Sequence, residues 1–253
     1  LIALDIGNSS IKLGFFMKKA LFVRECATHP LLPSSRYAAL ILQYMQEKNM
    51  DKTPEGIIIS SVVQGHTEVL GKTLKRLFCV QPFILDHTSK TGIRLNIPKP
   101  EGLGPDRIAN AVAADALYKC PVAVIDFGTA TTISVVGEGA NYIGGAILPG
   151  VGLMNESLAK GTSRLSKVQI RSATAALGTN TSSGIRSGLL FGTAGAAERI
   201  ITEIERETSL RLKIAVTGGY SRFISKYMKR RHKLIPLLTL QGLRIIYTRN
   251  TDA

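Results

Sequence analysis

Residues 1–16 read LIALDIGNSSIKLGFF, and residues 122–136 read VAVIDFGTATTISVV. Each is an apolar run ending at an aspartate (Asp5, Asp126), then a turn of small residues (Gly7-Asn8-Ser9, Gly128-Thr129-Ala130), then a β-branched run. The pattern predicts strand, tight turn, strand. Each carboxylate stands at a strand end, where glycine lets the backbone approach an anion and hydroxyls supply hydrogen bonds. One copy would fit any acidic hairpin. Two copies predict a duplicated domain with paired phosphate-facing hairpins and a cleft between the halves.

Outward from the first copy, residues 20–28 can form a third strand, and residues 34–48 carry Tyr37, Leu40, Ile41 and Tyr44 at helical spacing. Residues 56–63, GIIISSVV, read as a buried strand, 67–77 as a helix and 82–85 as a further strand. Residues 90–104 contain Gly92, Gly102, Gly104, Pro98 and Pro100 and are expected to be irregular, with a helix from Pro105 to about Tyr118. The second copy repeats the plan with a third strand over 141–147 and a helix over 151–159. A long helix follows over 183–207, whose Gly188, Gly192, Ala194, Gly195 and Ala196 predict close packing, then a strand over 212–216 ending in Thr217-Gly218-Gly219. The expected architecture is α/β: two duplicated domains of mixed sheet flanked by helices, over residues 1–104 and 105–253.

The length of 253 residues gives room for two domains of about 100–150 residues each. Asp5 and Lys12 interrupt the first apolar run, and no other approaches the roughly 20 residues of a membrane span, so neither a signal peptide nor a membrane partner is expected. Cys26, Cys79 and Cys120 are odd in number and widely spaced, which predicts reduced thiols and a cytoplasmic location. The net charge of +14 attracts nucleic acid, acidic lipid, nucleotide phosphates or an anionic metabolite without choosing among them. Part of it lies in KYMKRRHK, residues 226–233, read as a solvated loop or helix face. No zinc-finger, helix-turn-helix or aromatic RNA-binding signature accompanies it, so nucleic acid is not the expected partner. His29, His66, His87 and His232 are scattered in sequence and read as surface or packing residues.

In this order and at these separations, LDIGNSSIK, GPDRIAN, IDFGTATT, GGAILPG, GTNTSSGIRSG and TGG resemble the type III pantothenate kinases, of the acetate kinase, sugar kinase, Hsp70 and actin superfamily. The likeness runs from residue 1 to the C-terminal QGLRIIYTRN. It implies two ribonuclease H-like domains and a homodimeric kinase that phosphorylates pantothenate to 4′-phosphopantothenate, the first step towards coenzyme A. ATP, Mg²⁺ and a monovalent cation, K⁺ or ammonium, would be its cofactors. By the same resemblance Asp5, Ile6, Gly7, Asn8, Ser9, Ser10, Ile11 and Lys12 form the phosphate hairpin, with Asp5 serving Mg²⁺. Asp126 serves the monovalent cation, Thr129 contacts ATP, and Gly104, Pro105, Asp106 and Arg107 contact pantothenate. Thr181 contacts pantothenate from the neighbouring subunit of the dimer, and it can equally cap the next helix with Asn180 or Ser182, the two roles being compatible.

Phosphoryl transfer needs a positioned acceptor hydroxyl, a base within reach of its proton and positive charge to hold anions. Asp106 in a first helical turn can serve as that base, and the planar fork of Arg107 can pair with a substrate carboxylate. An isolated G-x-D-R would read instead as a stabilised helix N-terminus and a structural salt bridge. Where many family members carry an aromatic residue against pantothenate, this chain has Leu95, which keeps open a kinase for another small hydroxy acid or sugar. A transcriptional accessory protein on the same fold is the alternative from another class.

Overall fold

The computed structural model describes residues 1–17, 20–50, 53–119, 121–170 and 175–251, so Cys120 lies outside the described residues. The chain forms two compact units, Leu1–Gly92 with Pro98–Ala113 and Thr239–Ala253, and Ile93–Ile97 with Ala114–Leu238.

In the first unit, β1 (Ile2–Ile6), β2 (Ser10–Met17), β3 (Ala20–Ala27), β4 (Ile57–Ser61) and β5 (Phe83–Ile84) form one sheet in the order β3-β2-β1-β4-β5. The first three strands form an antiparallel meander, and β4 runs parallel to β1, with Asp5 opposite Lys12 on one side and Ser60 on the other. Ala3, Leu4 and Ile57 to Ile59 are completely buried, as strands covered on both faces require. One face, carrying Ile2, Leu4 and Ile6, packs against α1 (Ser34–Glu47) and α2 (Gln64–Phe78). Both helices show a stripe at i, i+4, i+7, i+8: Tyr37, Ile41, Tyr44 and Met45 on α1, and His66, Leu70, Thr73 and Leu74 on α2.

The chain then enters α3 (Pro105–Tyr118). The second unit contains β6 (Arg94–Leu95), β7 (Val122–Phe127), β8 (Ala130–Gly137), β9 (Asn141–Pro149), β10 (Lys213–Thr217) and β11 (Lys233–Leu234), in the order β11-β10-β7-β8-β9-β6. Apart from β6 this repeats the first plan: an antiparallel meander β7-β8-β9, with β10 parallel to β7 and β11 parallel to β10. Its helices are α4 (Val151–Gly161), α5 (Thr181–Thr208) and the short α6 (Ser221–Ile224). The core joins Ala123, Ile125 and Phe127 of β7 to Leu190, Ala194, Ala197 and Ile201 of α5.

Three features depart from the sequence expectations. Arg94 and Leu95, within the stretch expected to be irregular, pair in parallel with Asn141 and Tyr142; a two-residue strand between Gly92 and Pro98 has no periodicity of its own. The glycines expected to pack closely do not do so within the chain: Gly188, Gly192 and Gly195 are exposed, and a Cβ on any of them would meet nothing within 4 Å. The last helix, α7 (Leu238–Thr251), rejoins the first unit from Thr239 onward, and the break expected at 104/105 falls at the start of α3, whereas the two units divide within that helix after Ala113. On the sheet face of Ala3 and its partner Gly14, Leu240 of α7 packs so closely that a Cβ on Gly14 would lie 3.0 Å from its nearer methyl group. Gly242 lets α7 rest directly on the backbone of Ala109 in α3.

The basic segment is anchored rather than freely solvated. A carboxylate oxygen of Glu198 accepts the backbone N–H groups of Lys229 and Arg230 at 2.7 and 2.6 Å, and the Arg230 guanidinium bridges to Glu205 at 2.7 Å. Among the described residues no helix is long and apolar enough to cross a membrane.

A Cβ at Gly242 would collide with backbone, which cannot swing aside. Gly242→Ala is therefore expected to cost about 1–3 kcal/mol and several degrees of melting temperature. Gly71→Ala, in open space on α2, should instead gain about 0.5–1 kcal/mol from helix propensity. Calorimetric melting of both variants checks the contrast.

Candidate active site

Within the first unit, Asp5 is the last residue but one of β1 and has intermediate exposure, and Asn8 and Ser9 are exposed at the tip of the turn. The Gly7 N–H donates to the Ser10 carbonyl at 3.0 Å, closing the turn, and Lys12 returns along β2 opposite Asp5. Ile6 and Ile11 are fully buried core residues, so within this stretch only their backbone can face a ligand. They hold the turn at the sheet edge. Thr28, at the end of β3, donates its hydroxyl to the Gly7 carbonyl at 2.7 Å.

The same unit brings the start of α3 to this edge. Val62 follows β4 and donates its N–H to the Ile6 carbonyl at 3.1 Å, and a side chain at Gly104 would lie 3.9 Å from Val62. A Cβ there would also crowd the Asp106 carboxylate, so glycine gives that carboxylate its space. Asp106 keeps an accessible edge although protein surrounds most of its carboxyl group. Burial raises its pKa above the ordinary 3.8, opposed by the Arg107 backbone N–H and guanidinium charge. A carboxylate shifted in that direction binds a proton more readily than a solvated one.

In the second unit, Asp126 is the last residue but one of β7, opposite Thr132 on β8 and Thr217 on β10. Between the Asp and its antiparallel partner the turn is one residue shorter than the Asp5–Lys12 turn. The Thr129 carbonyl accepts the Gly150 N–H at 3.1 Å. Gly218 adopts φ +98°, and a Cβ there would run into the Asp126 carboxylate and the Phe127 backbone, which explains the glycine after Thr217. The Ser221 hydroxyl donates to the Gly218 carbonyl at 2.6 Å, and the Tyr220 N–H to the Phe127 carbonyl at 3.0 Å, fixing this turn across the end of β7.

At Thr181 the cap belongs to its neighbours. The Asn180 side chain accepts the Ser183 N–H at 2.9 Å, and the Ser183 hydroxyl returns to the Asn180 N–H at 3.0 Å, a reciprocal capping box. Thr181 is the first helical residue and is exposed. Leu95 pairs with Tyr142, but Tyr142 is buried with its hydroxyl donating to Ser134 at 3.3 Å, so it does not replace the missing aromatic contact. His29 and His66, read as scattered, are adjacent, with ring centroids 6.0 Å apart.

The donor sets can be tested against the groups implied by the sequence. Asp5 and the exposed turn supply oxygen and amide groups, which suit hydrated Mg²⁺ with phosphates. Asp126, with threonines around it, offers oxygen ligands suited to a hard cation, and among the described residues no cluster of three His, Cys, Asp or Glu side chains forms a metal site.

Two mixed sheets of common topology, each with an aspartate at the corresponding position near the end of a central strand, define a protein of two ribonuclease H-like domains. A polyphosphate/ATP-glucomannokinase from Arthrobacter superposes with a TM-score of 0.52 at 16% identity, covering 100% of this chain and 99% of the other. A protein of Campylobacter jejuni described as a Baf family transcriptional activator superposes with a TM-score of 0.60 at 21% identity over 100% of both chains. At such identities both establish fold alone. The sequence profile of type III pantothenate kinases matches residues 1–203. Type III pantothenate kinases from Dehalococcoides mccartyi and Moorella thermoacetica are 35% and 34% identical to this chain, covering 99% of it and 98% and 100% of their own lengths. The chain belongs to the type III pantothenate kinase family.

A raised Asp106 pKa means that the folded state holds this proton more tightly than the unfolded chain. The resulting stability is fully present below the ordinary value of 3.8 and is lost as pH rises through the raised value. At neutral pH the ionised carboxylate therefore destabilises the fold. Asp106→Asn should melt higher than the native protein near pH 7.5, and the gap should close on acidification; thermal melts across pH read this directly.

Proposed function

We propose that this chain carries out the reaction of its family: transfer of the γ-phosphoryl group of ATP to the terminal hydroxyl of pantothenate, giving 4′-phosphopantothenate. The observation that carries the residue assignment is the juxtaposition, within one unit, of the Gly7-Asn8-Ser9 turn and a largely buried aspartate at the start of α3. The turn's amides and hydroxyls, with Lys12, hold phosphate oxygens, and Asp5 would hold Mg²⁺. Bound Mg²⁺ would supply charge neutralisation on the phosphates. Arg107 pairs with the pantothenate carboxylate and fixes the acceptor. Asp106 takes the hydroxyl proton as that oxygen bonds to the γ-phosphorus, while the bond from phosphorus to the β–γ bridging oxygen breaks and ADP leaves.

In the second unit Asp126 would hold K⁺ or ammonium, and Thr129 would contact the nucleotide. The assembly is a homodimer. Its support is the exposed Gly188, Gly192 and Gly195 stripe with Phe191 beside it, and the exposed Thr181 hydroxyl that the capping box leaves available for pantothenate bound by the other subunit. A cytoplasmic location accompanies this reading.

Purified protein with pantothenate, ATP, Mg²⁺ and K⁺ should form 4′-phosphopantothenate; absence of product with K⁺ and with ammonium defeats the assignment. Other hydroxy acids and polyols should turn over far more slowly, which tests whether Leu95 alters the acceptor. Asp106→Asn should lower kcat at least about 100-fold while ATP still binds. The acidic limb of the native kcat/KM profile should lie above the ordinary carboxylate range, in the direction that burial shifts Asp106. Sedimentation should give a dimer, and a Thr181→Ala dimer should show a raised KM for pantothenate at unchanged affinity for ATP.

A further inference from the structure

The brace beneath the first turn involves residues outside every motif. His66 is buried in the first turn of α2, and its Nε2 lies 2.6 Å from the Thr28 carbonyl. A carbonyl only accepts, so Nε2 carries the proton and the ring orientation is fixed. Tyr37 and His29 meet the ring edge-on, with centroids at 6.3 and 6.0 Å. Thr28, itself fully buried, grips the turn at two points: its hydroxyl donates to the Gly7 carbonyl at 2.7 Å, and its N–H donates to the Ser9 carbonyl at 3.2 Å. In a planar trans peptide the N–H points opposite to the C=O. Holding the Gly7 carbonyl towards Thr28 therefore turns the Asn8 N–H away from it, on the exposed side of the turn.

We propose that His66 and Thr28 are positioning residues for the nucleotide phosphates: His66 fixes Thr28, and Thr28 pins the Gly7 and Ser9 carbonyls so that the outward N–H of the turn is aimed before the nucleotide arrives. This rests on the reading of the Gly7-Asn8-Ser9 turn as phosphate-binding. Packing alone does not explain His66, because the stripe it shares with Leu70 and Leu74 would accept an apolar side chain, and its N–H is directed at Thr28 rather than along its own helix. A preorganised donor contributes more to binding than one that must be ordered on contact.

The test is titration calorimetry of the full chain with MgATP, together with KM for both substrates. Thr28→Val and His66→Leu should each weaken MgATP binding about tenfold, the size of one buried hydrogen bond. Thr28→Ser should bind within twofold of the native protein, as should His66→Gln, whose amide nitrogen lies the same number of bonds from Cα as Nε2. The KM for pantothenate at saturating MgATP should stay within twofold, a split that a general loss of folded protein would not produce. The Thr28→Val/His66→Leu double variant should lose less than the sum of the two single losses, because both changes act on residue 28, whose backbone N–H to the Ser9 carbonyl and carbonyl to His66 survive in Thr28→Val. Should His66→Leu not fold, His66→Asn, polar but one bond too short, gives the same reading. Native MgATP affinity in a folded His66→Leu or His66→Asn, additive losses in the double variant, or no MgATP binding by the native chain would each overturn the proposal. A native chain that binds MgATP yet leaves pantothenate unphosphorylated would remove the proposed reaction and leave the brace supported by the calorimetric series.

Discussion

Parallel pairing of each central strand with the strand that follows its meander is the constraint on which the rest of the structure depends. Because β1 and β4 run the same way, as do β7 and β10, the carboxyl ends of each pair lie at one edge of their sheet. Sheet pairing stops there, and polar residues can stand at that edge without burying unpaired groups. Asp5 with Ser60, and Asp126 with Thr217, occupy the corresponding register positions. Helices leave from the same ends, α2 after β4 and α6 after β10, so their first turns reach the residues that brace each hairpin.

Duplication of this plan has not kept the two edges equal. The first turn is one residue longer, ends in exposed Asn8 and Ser9, and is gripped from below by Thr28. The second is shorter, is tied to Gly150, and has Gly218 close against its aspartate. A long turn with an exposed tip suits a polyanion, whereas a short one carrying carboxylate and hydroxyl oxygens suits a cation and a nucleotide contact. Asp106 adds a group that has no counterpart in the repeat. Its burial costs stability at neutral pH, the trade expected of the base proposed for this position.

The hairpins were legible because their signals are local: an apolar run, an aspartate and a small-residue turn specify strand, end and turn within about ten residues. The α3 start was legible for the same reason, with Pro105 at the first helical position and Asp106 in the first turn. A contiguous motif does not show which of its side chains face the core: Ile6 and Ile11 bury theirs, so any ligand contact they make runs through their backbone. Thr181 was read as sharing the cap, but the capping box is closed by Asn180 and Ser183, and only side-chain geometry separates such neighbours.

The sequence by itself determined the duplicated strand–turn–strand plan, the α/β class, the position of the proposed base and the family, since all of these are written in contiguous residues and their order. Tertiary structure alone decided that the last helix returns to the first unit, that Arg94 and Leu95 extend the second sheet, that the exposed face of α5 carries its glycines, and that His66 reaches Thr28 beneath the Gly7-Asn8-Ser9 turn. Each joins residues from 38 to more than 100 positions apart, or depends on which side of a helix faces the core. Local propensity carries no term for such partners; they are fixed only when the core closes and leaves each buried donor one acceptor within reach.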